Sequence, residues 1–236
     1  MSTRTIVHSD PDALVTGAAG RLLERLSVLQ STDGVAQLCL TGGRIANRIY
    51  RGLAEQLPGS PLDGTRVELW WGDERWVPTE HPDRNAGEAL AILAPTLAMD
   101  PSRVHPMPAA DGNVSIEDSV DGYAAELGET TFDICLLGVG PDGHVASLFP
   151  GHPGLESPTG AKVIAVHDSP KPPPERLSLS LATLNRSREV WFVVSGADKA
   201  EAVRRAHDGD LEVPAARVRG REATVWLIDE DAASLL

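Results

Sequence analysis

Short apolar, β-branched runs alternate along the chain with longer stretches whose apolar residues recur at helical spacing. The runs at 5–9 (TIVHS), 35–40 (VAQLCL), 66–71 (RVELWW), 132–140 (FDICLLGVG), 162–166 (KVIAV), 189–196 (EVWFVVSG) and 223–228 (ATVWLI) predict strands. Residues 11–30, 44–57, 85–98, 116–128 and 197–207 predict helices, some of them opened by Asp or Asn in capping positions. This βαβα alternation predicts an α/β fold, a three-layer, doubly wound, mainly parallel sheet with helices on both faces. Ligands of such sheets bind outside the carboxyl ends of the strands, so functional residues are expected there. The Pro-rich stretches 101–108 and 169–174 are too short for interdomain linkers, and no repeat or low-complexity tract is present. Both are expected as loops of a single domain spanning 1–236.

Composition narrows the classes of function. At 236 residues the chain fits one core, since splitting becomes common only above roughly 250 residues. Hydrophobic residues at 42% and charged residues at 23% match a globular domain rather than a disordered chain. The net charge of -13 argues against nucleic acid as a partner, because phosphate-backbone binding needs a basic surface. The N-terminus lacks a secretory pattern and no segment reaches the roughly 18 apolar residues of a membrane span, so a cytoplasmic protein without a membrane partner is expected. Cys39 and Cys135 both lie in apolar runs and are expected as buried, reduced thiols. Neither a metal nor another cofactor is expected. The oligomeric state expected is a monomer or a weak homo-oligomer.

Four strand ends carry unusual chemistry. In LCLTGGRIANRIY a strand runs into Gly42-Gly43 and then a helix, an arrangement whose backbone N–H groups can hold an anion. A plain connecting turn explains the same residues. In RVELWWGDERWVP the ionisable residues Asp73, Glu74 and Arg75 stand directly beyond an apolar strand, where burial would demand pairing; a surface ion pair is the competing reading. In FDICLLGVGPDGHVASLFP a buried strand ends in glycines followed by Asp142 and His144. Histidine titrates near neutrality, as a general base must, and this one follows a Gly-rich turn at a strand end. His8, His81, His105, His152, His167 and His207 lack that setting. In DSPKPPPERLSLSL, Lys171 precedes three prolines and Arg176 follows them, so a stiff loop presents cations in an otherwise acidic protein; a solvated Pro-rich loop is the competing reading.

GDERWVP, GVGPDGHVASLFP and KPPPER, in this order and together with the Gly-Gly turn and the VSGADKAEAV segment at 194–203, resemble the 6-phosphogluconolactonase family. That family stands within the larger group that includes glucosamine-6-phosphate deaminase. The resemblance implies a fold related to ribose-5-phosphate isomerase and CoA transferases. It also implies hydrolysis of 6-phospho-D-glucono-1,5-lactone to 6-phospho-D-gluconate in the pentose phosphate pathway. His144 is then expected as the general base, with Asp73 orienting His144 or the water. Asp142 would hold the other imidazole nitrogen or shape the turn. Arg75 and Lys171 are expected as phosphate ligands, with Gly42, Gly43 and Arg44 supplying backbone N–H groups, the Arg44 side chain a further charge, and Arg176 a second-line cation.

Two departures matter. The family commonly has a Ser-Gly-Gly-Ser/Thr-Pro-like turn, whereas this chain has Thr41-Gly42-Gly43-Arg44-Ile45 and lacks the hydroxyl after the glycines. The deaminase-like pattern continues from Gly-His into Ile-Ala-Phe-Asn-Glu-Pro, whereas this chain has Val145-Ala146-Ser147-Leu148-Phe149-Pro150. Losing that glutamate disfavours ring opening and deamination but leaves lactone hydrolysis intact. A non-catalytic sugar-phosphate sensor is the rival from another class, and no helix-turn-helix or partner tail accompanies the motifs.

Overall fold

The computed structural model describes residues 2–156 and 158–236. In chain order the strands are β1 (Ser2–His8), β2 (Ala36–Leu40), β3 (Val67–Trp71), β4 (Asp73–Arg75), β5 (Val104–His105), β6 (Ile134–Leu137), β7 (Val163–Val166), β8 (Arg176–Leu179), β9 (Glu189–Val194) and β10 (Ala223–Asp229). The helices are α1 (Pro11–Asp33), α2 (Arg44–Gln56), α3 (Asn85–Leu93), α4 (Ile116–Leu127), α5 (Leu181–Leu184), α6 (Ala200–His207) and α7 (Pro214–Arg217). The main sheet runs β1-β10-β9-β6-β2-β3-β5, and all its pairings are parallel.

Strands β6 and β9 are buried at every position. Successive side chains of a strand point to opposite faces, so burial at every position means that both faces are covered. That is why these runs read as continuous apolar stretches rather than alternating ones. Trp70, Trp71, Tyr50, Tyr123, Phe132 and Phe192 fill the core, each contributing about 1.5–3 kcal/mol of apolar burial. Cys39 and Cys135 sit beside each other on β2 and β6 as free, buried thiols. No described helix is long and apolar enough to cross a membrane.

Local chemistry sets the helix starts. Asp10 accepts from the Ala13 N–H at 2.8 Å with Pro11 in the first turn of α1, and Ser115 and Asp118 form a reciprocal capping box on α4. Some elements differ from expectation. Helix α3 stops at Leu93 rather than 98, because Pro95 lacks the N–H that would continue the ladder. The stretch 197–199 is a tight turn of 3₁₀ helix before α6. The run at 162–166 belongs to a second sheet, not to the main one.

That second sheet is antiparallel, ordered β4-β8-β7. Gly72 joins the two sheets: its N–H donates to the Leu40 carbonyl at 2.9 Å, and its own carbonyl accepts from Leu179 N–H at 2.9 Å. The chain thus leaves the main sheet at the end of β3 and pairs at once with a strand a hundred residues away.

Candidate active site

The side-chain alternation of the small sheet places the charged triad. Asp73 pairs with Ser178, Glu74 with Leu177 and Arg75 with Arg176. Residues directly opposite in an antiparallel pair share a face, and so do alternate residues of one strand. Asp73, Arg75, Ser178 and Arg176 therefore lie on one side, with Glu74 and Leu177 on the other.

Glu74 points inward and is fully buried. Its carboxylate accepts from the N–H groups of Arg75 at 2.8 Å, Asn85 at 2.7 Å and Ala86 at 2.9 Å, and it lies 3.5 Å from Arg84 Nε. Burial pushes its carboxyl above the usual value, and Arg84 with the three N–H groups opposes that shift. The pairing that burial demanded is thus met at the start of α3, where a negative charge also suits the helix dipole.

The opposite face borders a cleft of about 720 Å³ at the carboxyl ends of the main-sheet strands. Gly42, Gly43, Arg44, Asp73, Arg75, His144, Lys171 and Arg176 all line it. Asp142 stands just behind, bonded to His144. Eight sequence positions spread over 135 residues converge here because β6, β2 and β3 are neighbours in the main sheet and β4, directly after β3, pairs with β8 in the second.

Three segments shape the floor and walls. After β2, the Tyr50 hydroxyl ties down Thr41, accepting from its N–H at 3.0 Å and donating to its carbonyl at 2.7 Å. A Cβ on Gly42 would fall 1.9 Å from Asn85 Oδ1, so the turn is glycine in order to admit that side chain. After β6, Gly140 N–H donates to the His144 carbonyl at 2.9 Å. A Cβ at Gly140 would lie 2.0 Å from His144 Nδ1, so a glycine is required where the imidazole folds back. Ala146, also lining the cleft, adopts a left-handed φ of 49°.

The imidazole contacts are specific. His144 Nδ1 lies 2.5 Å from Asp142 Oδ1, and Lys171 Nζ lies 3.4 Å from that same oxygen and 3.2 Å from Nδ1. The Phe149 ring packs 4.6 Å from the imidazole. Burial works against the Asp142 charge, but the hydrogen bond to His144 and the nearby Lys171 outweigh it and hold its carboxyl well below the usual carboxylate range. The carboxylate bonded to the imidazole is thus Asp142. Asp73, expected to orient His144 or the water, makes no hydrogen bond to the ring; its Oδ2 accepts from Ser147 Oγ at 2.8 Å.

The cations are held in different ways. Arg176 is buried and donates to the carbonyls of Pro173 at 3.1 Å, Lys171 at 2.9 Å and Pro172 at 3.0 Å, so the KPPP loop wraps around its guanidinium. Arg75 Nη1 donates to the Asp83 carbonyl at 2.7 Å. Arg48 pairs with Asp12, and Lys199 with Asp198 at 3.0 Å. Arg44 makes no side-chain hydrogen bond or ion pair with any described residue. Asn85, Arg48, Ser195, Gly196 and Lys199 line the cleft and were not among the expected site residues. Ser195, Gly196 and Lys199 follow β9, so the strand-end rule applied to that strand points to them. Asn85 carries no such signal, because as a helix-start residue it reads as a cap. Among the described residues no three His, Cys, Asp or Glu side chains converge to hold a metal ion.

Fold and site define an α/β protein of the parallel-sheet class with an Asp–His pair and a cleft lined by arginine and lysine at its strand ends. Residues 9–226 match the profile of the family described as Glucosamine-6-phosphate isomerases/6-phosphogluconolactonase, and the chain belongs to this family. It is 45% identical over 98% of its length to a 6-phosphogluconolactonase of Streptomyces coelicolor, covering 94% of that protein. It is 40% identical over its whole length to one of Mycobacterium tuberculosis, covering 99% of it. The crystal structure of 6-phosphogluconolactonase from Thermotoga maritima superposes with a TM-score of 0.86 at 27% identity, over 97% of this chain and all of that one. A monomeric glucosamine-6-phosphate deaminase shares the fold, with a TM-score of 0.82 at 23% identity over all of both chains.

Proposed function

We propose that the chain hydrolyses 6-phospho-D-glucono-1,5-lactone to 6-phospho-D-gluconate, the second step of the oxidative pentose phosphate pathway, with His144 as general base. The Asp142–His144 contact, inside a cleft that also presents the Gly42–Gly43 turn and the unpaired Arg44, carries this reading. The names of the relatives support the substrate.

A δ-lactone is an activated ester, so the protein has only to place a water at the ring carbonyl, take its proton and stabilise the oxyanion. With Nδ1–H donating to Asp142, the Nε2 lone pair is the one left to accept the proton. The water oxygen bonds to C1 and the bond from C1 to the ring oxygen then breaks. The imidazolium returns its proton to that departing oxygen. Asp73, with Oδ2 fixed by Ser147, orients the water through its other oxygen. Arg75 and Arg176, like charges placed opposite each other across β4 and β8, form a wall that favours the oxyanion.

The phosphate lies against the Gly42 and Gly43 N–H groups, Arg44 and, from the β9 side, Lys199. Lys171 takes a different part from the phosphate ligand expected of it. Its ammonium and the imidazole N–H are two donors converging on Asp142 Oδ1, so its charge offsets that carboxylate and fixes it beside the ring. Segment 145–150 packs buried Phe149 against His144 and offers no carboxylate, which favours hydrolysis over deamination.

Freshly prepared lactone, assayed by proton release and corrected for spontaneous hydrolysis, tests this directly. Accelerated hydrolysis without ammonia release from glucosamine 6-phosphate is expected; an uncatalysed rate, or ammonia release, overturns the reading. Arg44→Ala is expected to raise KM by about 10–100-fold with kcat little changed, because a charged hydrogen bond remote from the reacting carbon serves ground and transition states alike. Steady-state kinetics showing a lower kcat at unchanged KM would contradict the phosphate role.

A further inference from the structure

Asp229, the last residue of β10, is 1% exposed and forms no ion pair with any described residue. Burying a carboxylate is costly unless hydrogen bonds replace its hydration, so one without a cation calls for an explanation. Its Oδ2 accepts from Ser195 Oγ at 2.5 Å, while Oδ1 accepts from the Gly196 N–H at 3.0 Å and the Ala232 N–H at 2.8 Å. Two of these three donors belong to the turn after β9, where Ser195, Gly196 and Lys199 line the cleft.

That turn needs a clamp. Gly196 has a positive φ of 105°, and a Cβ there would stand 2.9 Å from Asp198 Oδ1. Glycine meets both demands but leaves the backbone free to adopt many other conformations. Strands β9 and β10 are parallel neighbours with Val194 opposite Ile228, so Asp229 stands beside Ser195 at the same strand ends. From there its carboxylate holds Gly196 by the N–H. The Gly196 carbonyl in turn accepts from the Lys199 N–H at 3.0 Å, so a path of two hydrogen bonds runs from Asp229 to the Lys199 backbone.

We propose that Asp229 is a positioning residue for the substrate's phosphate, acting through the Ser195–Gly196 turn on Lys199 without touching the ligand. The inference rests on the phosphate placement proposed above and extends it to a carboxylate that does not line the cleft. Without the clamp the turn presents Lys199 correctly only part of the time, and the apparent affinity for phosphate falls by that fraction. Chemistry at C1 is unaffected once the substrate is bound, because Asp142 and His144 follow β6 rather than β9.

The test combines calorimetry with inorganic phosphate and steady-state kinetics on 6-phosphogluconolactone and unphosphorylated glucono-1,5-lactone. It compares wild type with Asp229→Ala, Asp229→Asn, Lys199→Ala and the double alanine variant. Asp229→Ala is expected to weaken phosphate binding and raise KM for the phosphorylated lactone by about tenfold each, with kcat held and kcat/KM for the unphosphorylated lactone within about threefold of wild type. Asp229→Asn keeps the Oδ1 acceptor and offers Ser195 Oγ an N–H to accept, so it is expected to restore both. The double variant is expected to bind phosphate no more weakly than Lys199→Ala, since both changes act on one contact. Where Asp229→Ala fails to fold, Ser195→Ala, which removes the Oδ2 bond alone, is expected to weaken phosphate binding by about threefold. Unchanged phosphate affinity in the folded alanine variant, additive losses in the double variant, or equal losses with both lactones overturn the proposal. Absence of hydrolysis in wild type overturns the function reading alone, because calorimetry with phosphate does not depend on turnover.

Discussion

His144→Ala turns over the lactone on the order of 10²–10⁴-fold more slowly than wild type, with a much smaller change in KM, the usual share of a positioned general base. The ring is held through Nδ1 by Asp142 and packed by Phe149, so it is already aimed and truncation removes the base without moving the cleft walls. Alanine fits the turn because the restriction there falls on Gly140, whose missing Cβ makes room for the imidazole. Initial rates on fresh lactone, corrected for spontaneous hydrolysis, check it. Turnover within a few-fold of wild type would remove His144 from the chemistry and leave the cleft as a binding site.

Glu74→Ala is expected to cost about 3–5 kcal/mol of stability, the usual penalty for leaving one half of a buried ion pair alone. Arg84 is itself 5% exposed and would keep only the Met107 and Pro108 carbonyls, at 2.7 and 3.1 Å. Two backbone N–H groups at the start of α3 and that of Arg75 in β4 would lose their acceptor as well. For a chain of this size such a loss lowers Tm by roughly 6–20 °C. Burial already raises the Glu74 carboxyl, so the neutral isostere Glu74→Gln is expected to lose less than alanine does. Thermal and urea unfolding of both variants measure this; a shift under about 1 kcal/mol for alanine would mean that Glu74 does not anchor β4 to α3.

Glu74 also shows how far sequence reasoning reached. An acidic residue between Asp73 and Arg75, just past an apolar strand, announced that something there had to be paired, but not with what. Its partner Arg84 and two of its three N–H donors, those of Asn85 and Ala86, belong to a helix start that the pattern marked only as a boundary. Of the small sheet only β7 was legible, as the apolar run at 162–166. Strand β4 is three charged residues with no apolar alternation, and β8, though Arg-Leu-Ser-Leu alternates, is only four residues long and stands just behind a proline run. Their pairing across a hundred residues is what turns Asp73, Arg75 and Arg176 toward one cleft. Asp142 likewise was left between two roles, and only the 2.5 Å contact with His144 separates them. Lys171 was read as a cation for phosphate because a charge in a stiff loop says nothing of its direction; the fold turns it to Asp142.

By itself, the sequence determined the alternation of strands and helices, the burial of both sheet faces, and the strand ends at which Gly42, Asp73, His144 and Lys171 stand. Those are local consequences: apolar periodicity, glycine where a backbone must be approached closely, proline where a loop must stay extended. Tertiary structure alone decided which carboxylate bonds the imidazole, that Lys171 turns to the same carboxylate, and that Arg44 pairs with no described residue. Each of these depends on distances between residues far apart in the chain, and such distances follow from sheet order and side-chain direction, which no local pattern encodes.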